Sequence, residues 1–255
     1  MSAHTFKLFL PDTSLHDLTG FIASSTLLSY NLHWYLVNDE LRHTDRIKWT
    51  RKHKNLLLLL AITGAALSAF YFFRLRHHWV PLIIPAFITV IYTAPKIPAL
   101  HKLKTLAYGK TFLLAFTWTY VTVIMPLWIY GNEWGSTAII FCLSRFLLVY
   151  PICLLFDYRD REEDLEQGLT TLPARITTKT LGIVFYIIMT LFLSTTLFLL
   201  NYGFMYMEIL ILLIPGIILA LLYPMARRNF SDYLYYFILD GLMMLSAILS
   251  ILISF

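Results

Sequence analysis

The stretch STAIIFCLSRFLLVYPICLLF, residues 136–156, carries one charged side chain, Arg145, and runs directly into Asp157. An α-helix needs about 20 predominantly apolar residues to cross the hydrocarbon layer of a bilayer, and this stretch meets that length. Seven more runs of the same character flank it, over residues 18–37, 56–73, 79–94, 111–130, 181–200, 204–223 and 233–254. The run at 79–94 is the shortest, and Pro81 and Pro85 interrupt it. Hydrophobic residues make up 58% of the chain, and charged residues 14%, against the roughly 25% usual in soluble domains. With a mean hydropathy of +0.69, the composition excludes a soluble fold. The expected architecture is an all-α polytopic membrane protein, one domain over residues 1–255 with about eight spanning helices.

The net charge of +5 does not point to nucleic acid, because the basic residues are sorted by loop. Six of them (Arg42, Arg46, Lys48, Arg51, Lys52, Lys54) follow the first run, and four (Lys96, Lys102, Lys104, Lys110) follow the third. Four more (Arg159, Arg161, Arg175, Lys179) follow the fifth, and Arg227 and Arg228 follow the seventh. The even-numbered loops hold only Arg74 and Arg76. By the positive-inside rule the odd-numbered loops are expected in the cytoplasm and both termini outside. In a bacterium this is the inner membrane. Most of the basic residues then serve orientation and attraction to anionic headgroups. His4, Lys7 and Asp12 lead straight into a full-length run instead of a short apolar segment with a cleavage site, so the first helix is expected to be retained. Cys142 and Cys153 lie on one helix eleven positions apart, too far to be bridged, and read as apolar packing.

Six of the fifteen acidic residues fall between Asp157 and Glu166. If the fifth helix continues, Asp157, Asp160 and Asp164 share one face, about a turn apart, within about 60° at 100° per residue. Clustered carboxylates oppose one another's ionisation unless a cation lies between them. Carboxylates together with substrate phosphate oxygens are a usual way of holding Mg²⁺. The same residues also fit a solvated helix end in which Arg159, Arg161, Glu162, Glu163 and Glu166 form exposed pairs.

The string Asp157-x-x-Asp160-x-x-x-Asp164-x-x-x-Gly168-x-x-Thr171-Leu172-Pro173 resembles the second aspartate-rich motif of the UbiA superfamily of intramembrane prenyltransferases. The resemblance implies a UbiA-like helical bundle in which Asp157, Asp160 and Asp164 hold Mg²⁺ and the metal binds the diphosphate of an isoprenoid donor. Tyr92-Thr-Ala-Pro95-Lys96 is similar to the family's tyrosine-containing segment near the diphosphate, which adds Tyr92 and Lys96 to the implied catalytic set. The family's first motif is degraded. Its candidate, Asn38-Asp39-Glu40-Leu41-Arg42-His43-Thr44-Asp45-Arg46, carries arginine at both later aspartate positions, while a second register places Asn31 in the asparagine slot. On a continued helix Asn31, Asn38, Arg42 and Asp45 form one polar stripe. Two readings of that stripe stand side by side: a helix leaving the membrane into a solvated basic segment, or a substrate-binding set of Asn31, Asn38, Asp39, Arg42, Arg46 and Arg175 in which an arginine replaces a metal ion as counter-charge. Family members usually have one further span on the N-terminal side, so either that span is lost or the start of the protein lies upstream.

The implied reaction is prenyl transfer from a polyprenyl diphosphate to an acceptor, often aromatic, within the bilayer. Two other readings remain: a family-derived protein that binds an isoprenoid or another lipid without catalysis, and a transporter. Arg145 and Asp240 lie inside runs, where an unpartnered charge costs several kcal/mol, and are expected to pair with each other or line the interior. His33 reads as a satisfied interior histidine, and Pro126, Pro151 and Pro215 as helix kinks.

Overall fold

The computed structural model describes residues 2–10, 16–36, 45–93, 109–131, 134–166 and 171–253, with backbone alone at 2–4, 6, 45–47, 90–93 and 163. Each of the eight apolar runs is helical over nearly all of its described length. The long helices are α2 (His16–Leu36), α4 (Lys54–Arg74), α5 (Trp79–Thr93), α6 (Lys110–Thr119) continuing through a π-helical turn into α7 (Met125–Tyr130), α8 (Ser136–Arg159), α11 (Thr178–Phe198), α12 (Tyr206–Ala226) and a π-helical segment leading into α13 (Asp240–Leu252). Four short helices complete the set: α1 (Ser2–Phe9), α3 (Asp45–Lys52), α9 (Arg161–Glu166) and α10 (Leu172–Arg175).

Among the described residues, six helical stretches are long and apolar enough to cross a membrane: Lys54–Arg74, Lys110–Tyr130, Ser136–Arg159, Thr178–Tyr202, Tyr206–Ala226 and Tyr233–Leu252. The other two expected spans fall short for different reasons. α5 has 15 described residues, up to the last described position before 109, whereas α2 has 21 and is limited by polar side chains such as Ser24, Ser25, Asn31 and His33. Exposed Leu59, Ile62, Phe87, Ile187 and Leu221 present the apolar exterior that hydrocarbon requires.

α8 is the central post. Leu148, Val149, Ile152, Leu154 and Leu155 are fully or almost fully buried, which explains a stretch that is apolar around its whole circumference. α11 and α12 meet through the stacked rings of Phe185 and Tyr223, 4.1 Å apart. A Cβ on Gly216 would lie 2.1 Å from Phe192, so glycine is required where α12 passes that ring. α2 and α4 form a close hairpin. A Cβ on Gly64 would stand 2.7 Å from the Leu28 backbone nitrogen, and Ser68 Oγ donates to Ser24 Oγ at 3.1 Å, the small-residue contact that substitutes for hydrophobic driving force in lipid.

Proline leaves carbonyl oxygens one turn back without their helical donor, and tertiary side chains supply replacements. Pro85 has no N–H for Pro81 O, and Tyr120 Oη donates to it at 3.0 Å. Pro126 likewise has none for Thr122 O, and Thr5 Oγ1 of α1 donates at 2.8 Å. Lys7 Nζ donates to Ser250 O in the last turn of α13, while Phe9 packs on Phe141 and Phe204. α1 therefore closes the end of the bundle opposite Asp157.

Arg145 is 2% exposed, so of the two expected outcomes, pairing with Asp240 or facing the interior, it takes the second. Its Nη2 donates to Ser144 Oγ at 2.9 Å and to Leu212 O at 3.4 Å, with Phe141 and Phe192 rings 5.6 Å from its guanidinium carbon. Asp240 is not among its contacts. The cation is held by dipoles and ring faces, so Arg145 ties α8 to α12 and, through Ser144 and Thr196 at 2.6 Å, to α11.

Candidate diphosphate and metal site

Helix α8 ends at Arg159, yet its hydrogen-bonding pattern carries on. Asp160 N–H donates to Phe156 O at 3.0 Å, and Asp164 N–H to Asp160 O at 2.9 Å. The helical continuation expected for the acidic segment is therefore present, with a change of direction at Asp160. Asp157 and Asp164 are both buried, at 4% and 5% exposure.

They meet on one cation. Lys110 Nζ, at the N-terminus of α6, lies 3.1 Å from Asp157 Oδ1 and 3.1 Å from Asp164 Oδ2. Thr111 Oγ1 donates to the other oxygen of Asp157. Burial lifts the Asp164 carboxyl above its ordinary value; Lys110 opposes that shift, and Asp157 and Asp160 add to it.

Asp160 faces elsewhere. Its Oδ1 accepts from Arg159 Nε at 2.9 Å, and Arg159 is itself fixed by a bond from Nη2 to Tyr236 Oη at 2.6 Å and by Asp232 at 3.6 Å. Tyr235, Tyr236 and Phe156 surround its guanidinium at 4.7, 4.6 and 5.3 Å. An arginine stacked on three rings and bonded on two edges is a rigid anchor, which draws the Asp160 carboxylate to Arg159 and not to Lys110. Among the described residues, no group of three or more His, Cys, Asp or Glu side chains is positioned to hold a metal ion.

The donor set nonetheless suits magnesium. Two carboxylates already converge on the position of one cation, all their donors are oxygen, and Mg²⁺ retains water and substrate oxygens in its remaining positions. Three carboxylates share this corner with the two cations Lys110 and Arg159, leaving charge for another cation to neutralise.

The remaining expected site residues are dispersed. Asn31 Nδ2 donates to Leu27 O on its own helix at 2.7 Å, and the described partners of Asn31 do not include the acidic cluster. Arg175 is exposed at the end of α10. Asn38, Asp39, Arg42 and Lys96 lie outside the described residues, and only the backbone of Tyr92 and Arg46 is described, each in a helix. The residues that sequence reasoning missed are Lys110, Thr111, Arg159, Tyr235 and Tyr236. Lys110 was legible only as one basic residue of a loop. Its position beside a threonine at the first turn of a span is the one signal that could have marked it.

A family model of UbiA prenyltransferases matches residues 44–239. No curated protein and no solved structure matches the chain.

Proposed function

Because the chain belongs to the UbiA prenyltransferase family, we propose that this integral membrane protein transfers a prenyl group from a polyprenyl diphosphate to a membrane-soluble or aromatic acceptor in a Mg²⁺-dependent reaction. The observation that carries this reading is the convergence of Asp157 and Asp164 on one cation at the end of a spanning helix. The basic-residue alternation puts that end on the cytoplasmic side, where a water-soluble diphosphate headgroup can enter.

Transfer breaks the allylic C–O bond, joins the prenyl carbon to the acceptor, and releases a proton from the acceptor together with diphosphate. Asp157 and Asp164 would hold Mg²⁺, which supplies neutralisation of the diphosphate charge. Asp160 joins them only by giving up Arg159. Thr111 fixes the rotamer of Asp157, so that carboxylate is oriented before substrate arrives. Lys110 can exchange its carboxylate partners for a diphosphate oxygen, keeping a positive charge beside the leaving group. Tyr92, Lys96, Arg42 and Arg46 belong to the same proposal as further diphosphate contacts, and Asn31, Asn38, Asp39 and Arg175 as substrate contacts.

One observation favours a second reading. The Lys110 ammonium already bridges Asp157 and Asp164 where a metal ion would sit, the arrangement expected of a family member that binds isoprenoid without metal or turnover. Purified protein in lipid with labelled prenyl diphosphates and a panel of aromatic acceptors separates the two. Mg²⁺-dependent product formation, at least tenfold lower in Asp157→Asn, is the expected result. Donor binding that ignores both Mg²⁺ and Asp157, with no product, would establish the second reading instead.

A further inference from the structure

A groove of about 650 Å³ runs down the outer face of the bundle beside α11, and none of its lining residues belongs to the acidic cluster. Lys179, Gly182, Ile183, Tyr186, Ile187 and Leu191 line it from α11, and Arg227 approaches from the end of α12. Its chemistry is graded. The cations Lys179 and Arg227 stand at one end, and Ile183, Ile187 and Leu191, spaced one turn apart and each about half exposed, continue from it.

Two polar atoms at the charged end lack protein partners. Tyr223 is 3% exposed, yet its buried Oη has no hydrogen-bond partner, and neither has Arg227 Nε. Arg227 lies over the Tyr223 ring, 5.2 Å from its centre. The notch they occupy exists because residue 182 is glycine. A Cβ there would stand 3.1 Å from Tyr223 Oη and 3.8 Å from Arg227 Nη1. Buried donors without acceptors are costly, and a ligand oxygen resolves that cost. The N-terminal turn of α11, which contains Lys179, adds the positive end of a helix dipole.

The length of the groove selects the ligand. From Lys179 to Leu191 the helix rises about 18 Å, slightly more than half of the roughly 30 Å hydrocarbon layer. A headgroup at the cationic end and one acyl chain along the isoleucines span a single leaflet. We propose that this groove is a specific site for one anionic phospholipid, its phosphate held by Lys179, Arg227 and the Tyr223 hydroxyl. Zwitterionic lipids share the phosphate but add a choline or ethanolamine cation, which Lys179 and Arg227 repel.

The test uses the full chain purified in mild detergent, with phosphatidylglycerol and phosphatidylcholine of identical chains, and counts retained lipid by native mass spectrometry. One phosphatidylglycerol per chain is expected to be retained in at least tenfold preference, and Lys179→Gln/Arg227→Gln is expected to abolish the preference. Gly182→Leu, which fills the notch without changing charge, is expected to lower retention comparably, and Arg51→Gln/Lys52→Gln to leave it unchanged. Retention of both lipids alike, or preference surviving both the charge and the notch variants, would overturn the site. Displacement of phosphatidylglycerol by inorganic phosphate would show a phosphate site instead of a lipid site. Measuring the melting temperature of each variant identifies any that fails to fold, and the remaining variant then decides.

Discussion

At the scale of single residues, several backbone carbonyls that a membrane interior cannot solvate receive a side-chain donor from another helix. Tyr120 serves Pro81 O, Thr5 serves Thr122 O, and Arg145 serves Leu212 O. Removing a donor leaves a buried carbonyl unpaired, at a cost of about 1–3 kcal/mol. Tyr120→Phe is therefore expected to lower the thermal midpoint in detergent, whereas Tyr186→Phe, on an exposed ring, leaves it unchanged; equal midpoints for Tyr120→Phe and wild type would contradict the assignment. Lys110 gives a sharper case. Lys110→Met leaves Asp157 and Asp164 facing each other without their cation, so the variant is expected to unfold earlier in chelator and to be rescued by Mg²⁺. Absence of rescue would show that the two carboxylates cannot share a metal.

At the scale of helices, close approach depends on positions where a side chain cannot fit. Gly64→Leu forces α4 off the Leu28 backbone, and Gly216→Ala meets the ring of Phe192, each expected to cost about 1–3 kcal/mol as overpacking. Melting curves of the two variants check this, and an unshifted curve for Gly64→Leu would mean that α2 and α4 are not held in contact. This scale is also where sequence was most informative. Runs such as residues 136–156 and 181–200 show their helices directly, because length and continuous apolarity leave no other structure in hydrocarbon. α1 was not visible, since eight residues with one lysine carry no spanning signal and owe their place to tertiary contacts of Thr5, Lys7 and Phe9. The candidate site was half legible. Asp157 and Asp164 follow from helical periodicity, but their common partner Lys110 is 54 residues from Asp164, and the turning of Asp160 toward Arg159 depends on Tyr235 and Tyr236 from the last helix. Of the two expectations for Arg145, facing the interior holds and pairing with Asp240 does not, because sequence shows that two charges lie within spans, not that they share a depth or a face.

At the scale of the whole molecule, one end of the bundle collects the acidic cluster, Lys110, the Arg159 cage and the cationic mouth of the α11–α12 groove, while α1 seals the other. By the positive-inside rule the sorted basic residues lead to the proposal that the acidic end faces the cytoplasm. Single cysteines at Glu162 and at Gly203, in a background lacking Cys142 and Cys153, are expected to react with a membrane-impermeant maleimide from opposite sides of sealed vesicles, and labelling from the same side would refute that orientation. The central claim is that Asp157 and Asp164 form a metal-assisted diphosphate site. Its most direct measurement is binding of a radiolabelled prenyl diphosphate to the lipid-reconstituted protein with Mg²⁺ or with chelator, for wild type and Asp157→Asn. We expect Mg²⁺ to tighten binding at least tenfold in wild type and not in the variant. Equal binding in all four samples would contradict the claim.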